Sequence, residues 1–282
     1  MRRNKKKELA QLQDSQGRVI FEEAPFNVRE AYKALRTNLI FSLPEEGGKV
    51  ILLTSANPGE GKSTNCLNIA IAFAETGAKV CIVDCDLRKP NIARLMRQKG
   101  SPGLTNVLVH LNTIDEVIAE SKYENLDCVY SGDIPPDPTE LLASPQMDKV
   151  LEYLRDKYDY VFIDTPPVNV VTDASLLAGK ASGVVVVARY GSTGKKEFSE
   201  AIQQLNFVKA KILGALMNCT EPEGRKRYGK RYGHKYYRRG YGYGYGYGYG
   251  YGYGYGYGYG YGQNSKYYSH YRKDIKESSD EK

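Results

Sequence analysis

Along residues 50–217, short apolar runs alternate with stretches of helical period. Val50, Ile51, Leu52, Leu53 and Thr54 make a continuous β-rich run, too short for a typical helix. The pattern then predicts a helix over 61–75, a strand over 79–84, short helices through 90–120 and a strand over 126–130. A helix at 145–158, strands at 160–164 and 183–188, a helix at 195–209 and a strand at 212–217 complete the series. Ahead of them, Asn27 with Glu30 three residues on reads as a helix N-cap and its reciprocal partner. That helix should run to about Ser42, with Leu35, Leu39 and Ile40 on its apolar face. Strands this apolar have no face to spare for water. They predict an α/β fold whose mainly parallel central sheet is covered by helices. Residues 1–26 are polar and read as a mobile arm, and the core should end near Asn218. The expected organisation is an arm (1–26), one domain (27–220) and a tail (221–282).

Composition divides the chain further. Its 282 residues suit one α/β domain with appendages. The net charge of +7 resides in residues 221–282, which hold 13 basic and 6 acidic side chains; the 27 basic and 27 acidic residues before them cancel. A neutral body argues against a nucleic-acid-binding core, so no nucleic acid partner is expected. Five cysteines sit singly, mostly inside apolar runs, which predicts buried thiols in a reducing compartment. No apolar run approaches the roughly 20 residues that span a bilayer. The basic start lacks the apolar stretch of a signal peptide. The expectation is a cytoplasmic protein whose membrane attachment is borrowed.

The tail changes the picture most. Of 25 tyrosines, 18 lie after Thr220, and eleven of those alternate with glycine over residues 241–262. Glycine at every second position frees the backbone and presents each ring singly. Such a segment is either an adhesive low-complexity tail or an array of phenolic hydroxyls offered to a reaction.

A candidate reaction site lies in the body. Ala56-Asn57-Pro58-Gly59-Glu60-Gly61-Lys62-Ser63-Thr64 follows a predicted strand and opens a predicted helix, the context a phosphate-binding loop requires. Alanine replaces the usual first glycine. The loop's backbone N–H groups and the helix N-terminus would cradle the polyphosphate of ATP. Lys62 would reach the β- and γ-phosphates and the Ser63 hydroxyl would bind Mg²⁺. Asp84 and Asp86 fall at the carboxyl end of the second strand and Asp164 at the end of another, where ligands bind in open α/β sheets. Asp86 and Asp164 are candidates to hold the metal with Ser63; one of Asp84 and Asp86 is left to accept a proton, and Asp84 is the candidate base. Asn218, ending the last strand, either hydrogen-bonds the adenine or closes a turn.

The segments 57–64, 83–90 (Val83-Asp84-Cys85-Asp86-Leu87-Arg88-Lys89-Pro90) and 162–167 (Phe162-Ile163-Asp164-Thr165-Pro166-Pro167) resemble the three Walker-type motifs of the bacterial tyrosine kinases of capsule and exopolysaccharide operons. The resemblance covers about residues 15–220, and the tyrosine-rich tail completes it. It implies a P-loop NTPase fold related to the ParA and MinD ATPases. The implied activity is autophosphorylation from Mg·ATP on a C-terminal tyrosine cluster. Here the cluster includes Tyr228, Tyr232, Tyr236, Tyr237, Tyr241, Tyr243, Tyr261, Tyr267, Tyr268 and Tyr271. It also implies a homo-oligomeric ring built by a Glu-x-x-Arg-x-x-Arg helix, which here reads Glu30, Lys33, Arg36. Lysine at the middle position lacks the planar fork of arginine, and a merely solvated charged face is the other reading. The resemblance is to the split type, which depends on a separate transmembrane activator of the polysaccharide co-polymerase kind at the inner face of the membrane and on a resetting phosphotyrosine phosphatase. A glycine-rich thread of about 40 residues spans roughly 35 Å, so transfer between neighbouring copies is within reach. The competing expectation is a ParA/MinD-like assembly ATPase with an incidental adhesive tail.

Overall fold

The computed structural model describes residues 24–44 and 47–219. The expected arm, apart from its last three residues, and the expected tail with all its candidate phosphoacceptor tyrosines lie outside the described residues.

The chain opens with helix α1 (Phe26–Ser42), followed by β1 (Lys49–Ser55), α2 (Lys62–Ala74), β2 (Val80–Asp84), α3 (Ile92–Met96), α4 (Leu104–Leu108) and α5 (Ile114–Val117). Next come β3 (Ile118–Glu120), β4 (Leu126–Val129), α6 (Pro138–Ala143), α7 (Pro145–Lys157), β5 (Tyr160–Asp164), α8 (Asp173–Ala178), β6 (Gly183–Arg189), α9 (Lys195–Phe207) and β7 (Ile212–Asn218). The seven strands form one sheet in the order β3-β4-β2-β5-β1-β6-β7. Every pairing is parallel except β3 with β4.

The pleat sorts the apolar runs into two cores. Val50, Leu52, Cys81, Val83, Val161, Ile163, Val184 and Val186 face α4, α7, α8 and α9. Their neighbours Ile51, Leu53, Val80, Ile82, Phe162, Val185 and Val187 face α1, α2 and α3. Each central strand thus serves both layers, which is why its sequence is apolar without alternation. Phe73 of α2 packs edge-on against Phe162 and Tyr160, anchoring that helix over β5.

Three expectations need correction. Helix α1 begins at Phe26 with Pro25 as its N-cap residue, so Asn27 lies inside the helix and caps nothing. Pro25 brings no backbone N–H to waste and a preset φ at the helix start. Ile40 is exposed, while Leu39 and Leu35 pack inward. Of the cysteines, Cys66, Cys81, Cys85 and Cys128 are buried, but Cys219 is exposed beyond β7.

Candidate active site

The register of the sheet brings the motifs together. Leu53 of β1 and Asp84 of β2 both pair with Asp164 of β5, so the ends of three adjacent strands meet at one height. The loop from Ala56 to Gly61 leaves β1 and enters α2 there. Gly61 has φ +94, and a β-carbon on it would lie 2.2 Å from Asn218 Nδ2. The positive φ favours glycine at this turn, and any side chain there would displace the Asn218 amide. No side chain caps the first turn of α2, so its N–H groups are left for an anion.

Lys62 stands at the centre. Its Nζ donates to Asp86 Oδ2 at 2.8 Å and to Ser63 Oγ at 3.4 Å, and lies 3.8 Å from Asp164 Oδ1. Burial opposes the ammonium's charge, but the carboxylates of Asp164, Asp86 and Asp84 outweigh it and hold its pKa above the ordinary lysine value. Asp84 and Asp164 are both fully buried. Burial and the neighbouring carboxylate push Asp84 up to about 8. Burial pushes Asp164 up to about 6, against the pull of Lys62.

The two differ in their partners. Asp84 Oδ2 accepts from the backbone N–H groups of Asn91 and Ile92 at 2.9 Å each, and Oδ1 accepts from that of Asp86 at 3.2 Å. Asp84 therefore ties down the loop that carries Asp86. Neither carboxylate oxygen of Asp164 has a hydrogen-bond partner. A buried acceptor pair without donors beside Lys62 and Ser63 is suited to a cation. Among the described residues no three His, Cys, Asp or Glu side chains are grouped to hold a metal by themselves.

Residues 48–213 match the family described as AAA domain. Tyrosine-protein kinase YwqD of Bacillus subtilis (strain 168) is 39% identical over 200 residues, which make up 71% of this chain and 84% of YwqD. This chain belongs to the bacterial tyrosine kinases. The kinase domain of Escherichia coli tyrosine kinase ETK has a TM-score of 0.67 and 32% identity, over 73% of this kinase and 80% of that chain. The septum site-determining protein MinD of Pyrococcus horikoshii OT3, complexed with Mg-ADP, has a TM-score of 0.53 and 23% identity over 60% of this kinase and 70% of that chain; that likeness is one of fold.

The remaining expected site residues of the kinase fall into three groups. Pro58 and Gly59 are exposed at the rim of the loop, whereas Ser63 is buried and Thr64 half-buried in the first turn of α2. The Glu60 carboxylate turns into the protein, accepting from the Asn57 N–H at 3.0 Å and from the Thr193 hydroxyl at 2.5 Å. Asn218 donates to the Glu60 carbonyl at 2.9 Å, so its amide braces the loop. On α1, Lys33 pairs with Glu30 at 2.8 Å, and Arg36 donates to the Ala72 carbonyl of α2. The residues expected to build a ring thus have partners within their own chain.

Sequence reasoning missed the supports. Arg88 makes a two-pronged ion pair with buried Asp173 of α8, 2.9 Å at Nε and 3.2 Å at Nη2. Thr139 of α6 lies between them, accepting from Arg88 and donating to Asp173, at 2.7 Å each. This pins the loop after β2 to the helix after β5. The Asp-Leu-Arg string marked Arg88, but its partner 85 positions away carried no local signal. Cys85, between the two aspartates, is buried, and burial with the surrounding carboxylates pushes its pKa well up, so it is no nucleophile.

No helix among the described residues is long and apolar enough to cross a membrane.

Proposed function

We propose that this kinase transfers the γ-phosphoryl group of Mg·ATP to the tyrosines of its own C-terminal cluster, from Tyr228 to Tyr271, mainly between copies. We further propose that this reaction regulates capsular or exopolysaccharide synthesis and export. The observation that carries the reading is the meeting of Lys62, Asp86 and the Asp164 carboxylate, which has no hydrogen-bond donor, at the open start of α2.

In this reading Pro58 to Thr64 enclose the phosphates, the loop N–H groups bind their oxygens, and Lys62 exchanges Asp86 for a β- or γ-oxygen. Ser63 and Asp164 would hold Mg²⁺, directly or through water, which leaves Asp86 for the proton. The ion supplies charge neutralisation on the phosphates. Asp84 was the expected base. Its oxygens accept from three backbone N–H groups. Asp86 Oδ1 accepts from the Lys89 N–H at 3.0 Å, but its Oδ2 is released as Lys62 turns to the phosphates, so Asp86 is the better acceptor for the tyrosine proton. A loose transition state asks little of a base, and most of the rate comes from positioning and charge. Asn218 serves by bracing Glu60 rather than by reading the adenine.

Partners follow from the same reading. Glu30, Lys33 and Arg36 would exchange their internal bonds for contacts with a neighbouring copy in a ring. A transmembrane activator would recruit the kinase to the inner face of the membrane, and a phosphotyrosine phosphatase would reset it. No nucleic acid is expected. The identity with a tyrosine kinase, 39% against 23% with MinD, supports this over an assembly ATPase with an adhesive tail.

The test mixes full-length Lys62→Met with an active chain truncated before Tyr228, in Mg·ATP with and without an activator fragment. Phosphotyrosine is mapped by mass spectrometry. Label on the Lys62→Met chain is expected, with none when that variant is alone. Label in wild type but none in the mixture would place transfer within one chain. Hydrolysis of ATP without any phosphotyrosine would sink the reading.

A further inference from the structure

Helix α1 is joined to α2 by more than apolar packing. Tyr32, between Glu30 and Lys33, points its hydroxyl at two asparagines of α2. It donates to Asn65 Oδ1 at 2.8 Å and accepts from Asn68 Nδ2 at 3.1 Å. Asn65 and Asn68 are three apart and share one face of α2. Both are buried. Asparagine is a poor helix former, and a buried amide is costly unless its polar atoms are paired. Two such residues on the helix that follows the phosphate loop call for a reason.

The reason lies at the other end of Asn65. Its Nδ2 donates to the Gly61 carbonyl at 2.8 Å. Gly61 is the left-handed residue that turns the loop into α2, immediately before Lys62. A continuous path therefore runs from the Tyr32 hydroxyl through the Asn65 amide to the carbonyl at the turn. With its oxygen held by Tyr32, the amide has one orientation, the one that directs its N–H₂ at Gly61. Without the hydroxyl the buried oxygen loses its donor, and rotating the amide to recover one would break the bond to the loop.

We propose that Tyr32 is a positioning residue for the phosphate-binding loop, acting through Asn65 on Gly61. It sets the direction of the loop's N–H groups and of Lys62, and makes nucleotide affinity depend on how α1 is seated. The inference rests on the nucleotide-binding reading of the site but not on the identity of the phosphate acceptor.

The test is a fluorescence titration of the full-length chain with a labelled Mg·ADP analogue, with thermal melting of each nucleotide-free variant. Tyr32→Phe removes only the hydroxyl. It is expected to weaken binding about five- to tenfold and to raise the KM for ATP while kcat stays within about twofold. Asn65→Ala should weaken binding by a similar factor, and the double variant by no more than the worse single one, because both break the same path. Asn68→Ala removes the amide that donates to the hydroxyl and should leave affinity within about twofold of wild type. Wild-type affinity in Tyr32→Phe overturns the proposal, even if its melting temperature falls. So does a double variant whose losses multiply, or an Asn68→Ala loss equal to that of Tyr32→Phe. Failure of the wild type to bind the analogue would instead remove the nucleotide-binding reading, and this proposal with it.

Discussion

The ends of β2 and β5 carry the same residue at the same height of one sheet, yet give it opposite surroundings. Asp84 and Asp164 are paired in register and equally buried. Asp84 receives three backbone N–H groups from the loop that follows it. Asp164 receives none, and the chain beyond it runs on through Thr165, Pro166 and Pro167. Prolines bring no N–H, and Thr165 spends both its N–H and its hydroxyl on the Leu53 carbonyl of β1. One strand end is built to hold a loop, and the other to keep a carboxylate unsatisfied beside Lys62. A buried charge without donors is costly, so such a site persists where something outside the chain completes it.

The largest effect expected from this contrast is in Asp164→Asn. Phosphoryl transfer should fall about 100-fold or more, as for loss of a principal electrostatic group, while the nucleotide-free protein melts no lower than wild type. Rapid-quench transfer assays and calorimetry check both halves. A lowered melting temperature with activity retained would assign Asp164 a structural role and break the contrast. A smaller loss of transfer, about tenfold, is expected in Asp84→Asn, together with about 1–3 kcal/mol less stability from amides left without acceptors. Denaturant unfolding measures the latter. An unchanged midpoint would mean that the loop after β2 does not depend on its aspartate.

The smallest effect concerns pH. Asp84 and Asp164 have pKa values raised to about 8 and about 6 on folding. The folded state therefore binds more protons than the unfolded state between about pH 4 and pH 8. Stability of the nucleotide-free protein should fall as pH rises through that window, read as a falling Tm. Asp164→Asn should make the decline shallower, because it removes the Asp164 contribution below about pH 6 and lowers the Asp84 pKa that the Asp164 charge helps to raise. A Tm that rises from pH 5 to pH 8 would contradict both assignments.

Much of the site was legible because its parts are local. The phosphate loop is nine consecutive residues between a strand and a helix, and each aspartate follows an apolar run whose type was readable. Helices α6 and α8 escaped notice because six residues are too few to display a helical period. Residues 118–120, expected within a helical stretch, form the short edge strand β3, too brief to display an alternating period although Ile118 and Ala119 pack on the two cores. These unnoticed elements supply Thr139 and Asp173, the partners that hold Arg88. The separate roles of Asp84 and Asp86 were also hidden, since they depend on which backbone N–H groups turn back toward β2.

Taken alone, the sequence determined that a phosphate-binding loop enters a helix from a doubly covered strand, with carboxylates at the ends of two others. Local propensity, glycine at the turn and unbroken apolar runs suffice for that. Only the tertiary structure decided which carboxylate is satisfied, which is left open and which groups brace the loop. Hydrogen bonding at close quarters depends on register and burial, which strands and helices distant in sequence set together. The same holds for Tyr32. Its place on an amphipathic helix follows from its neighbours in sequence, but its bond to Asn65 exists only because α1 lies against α2.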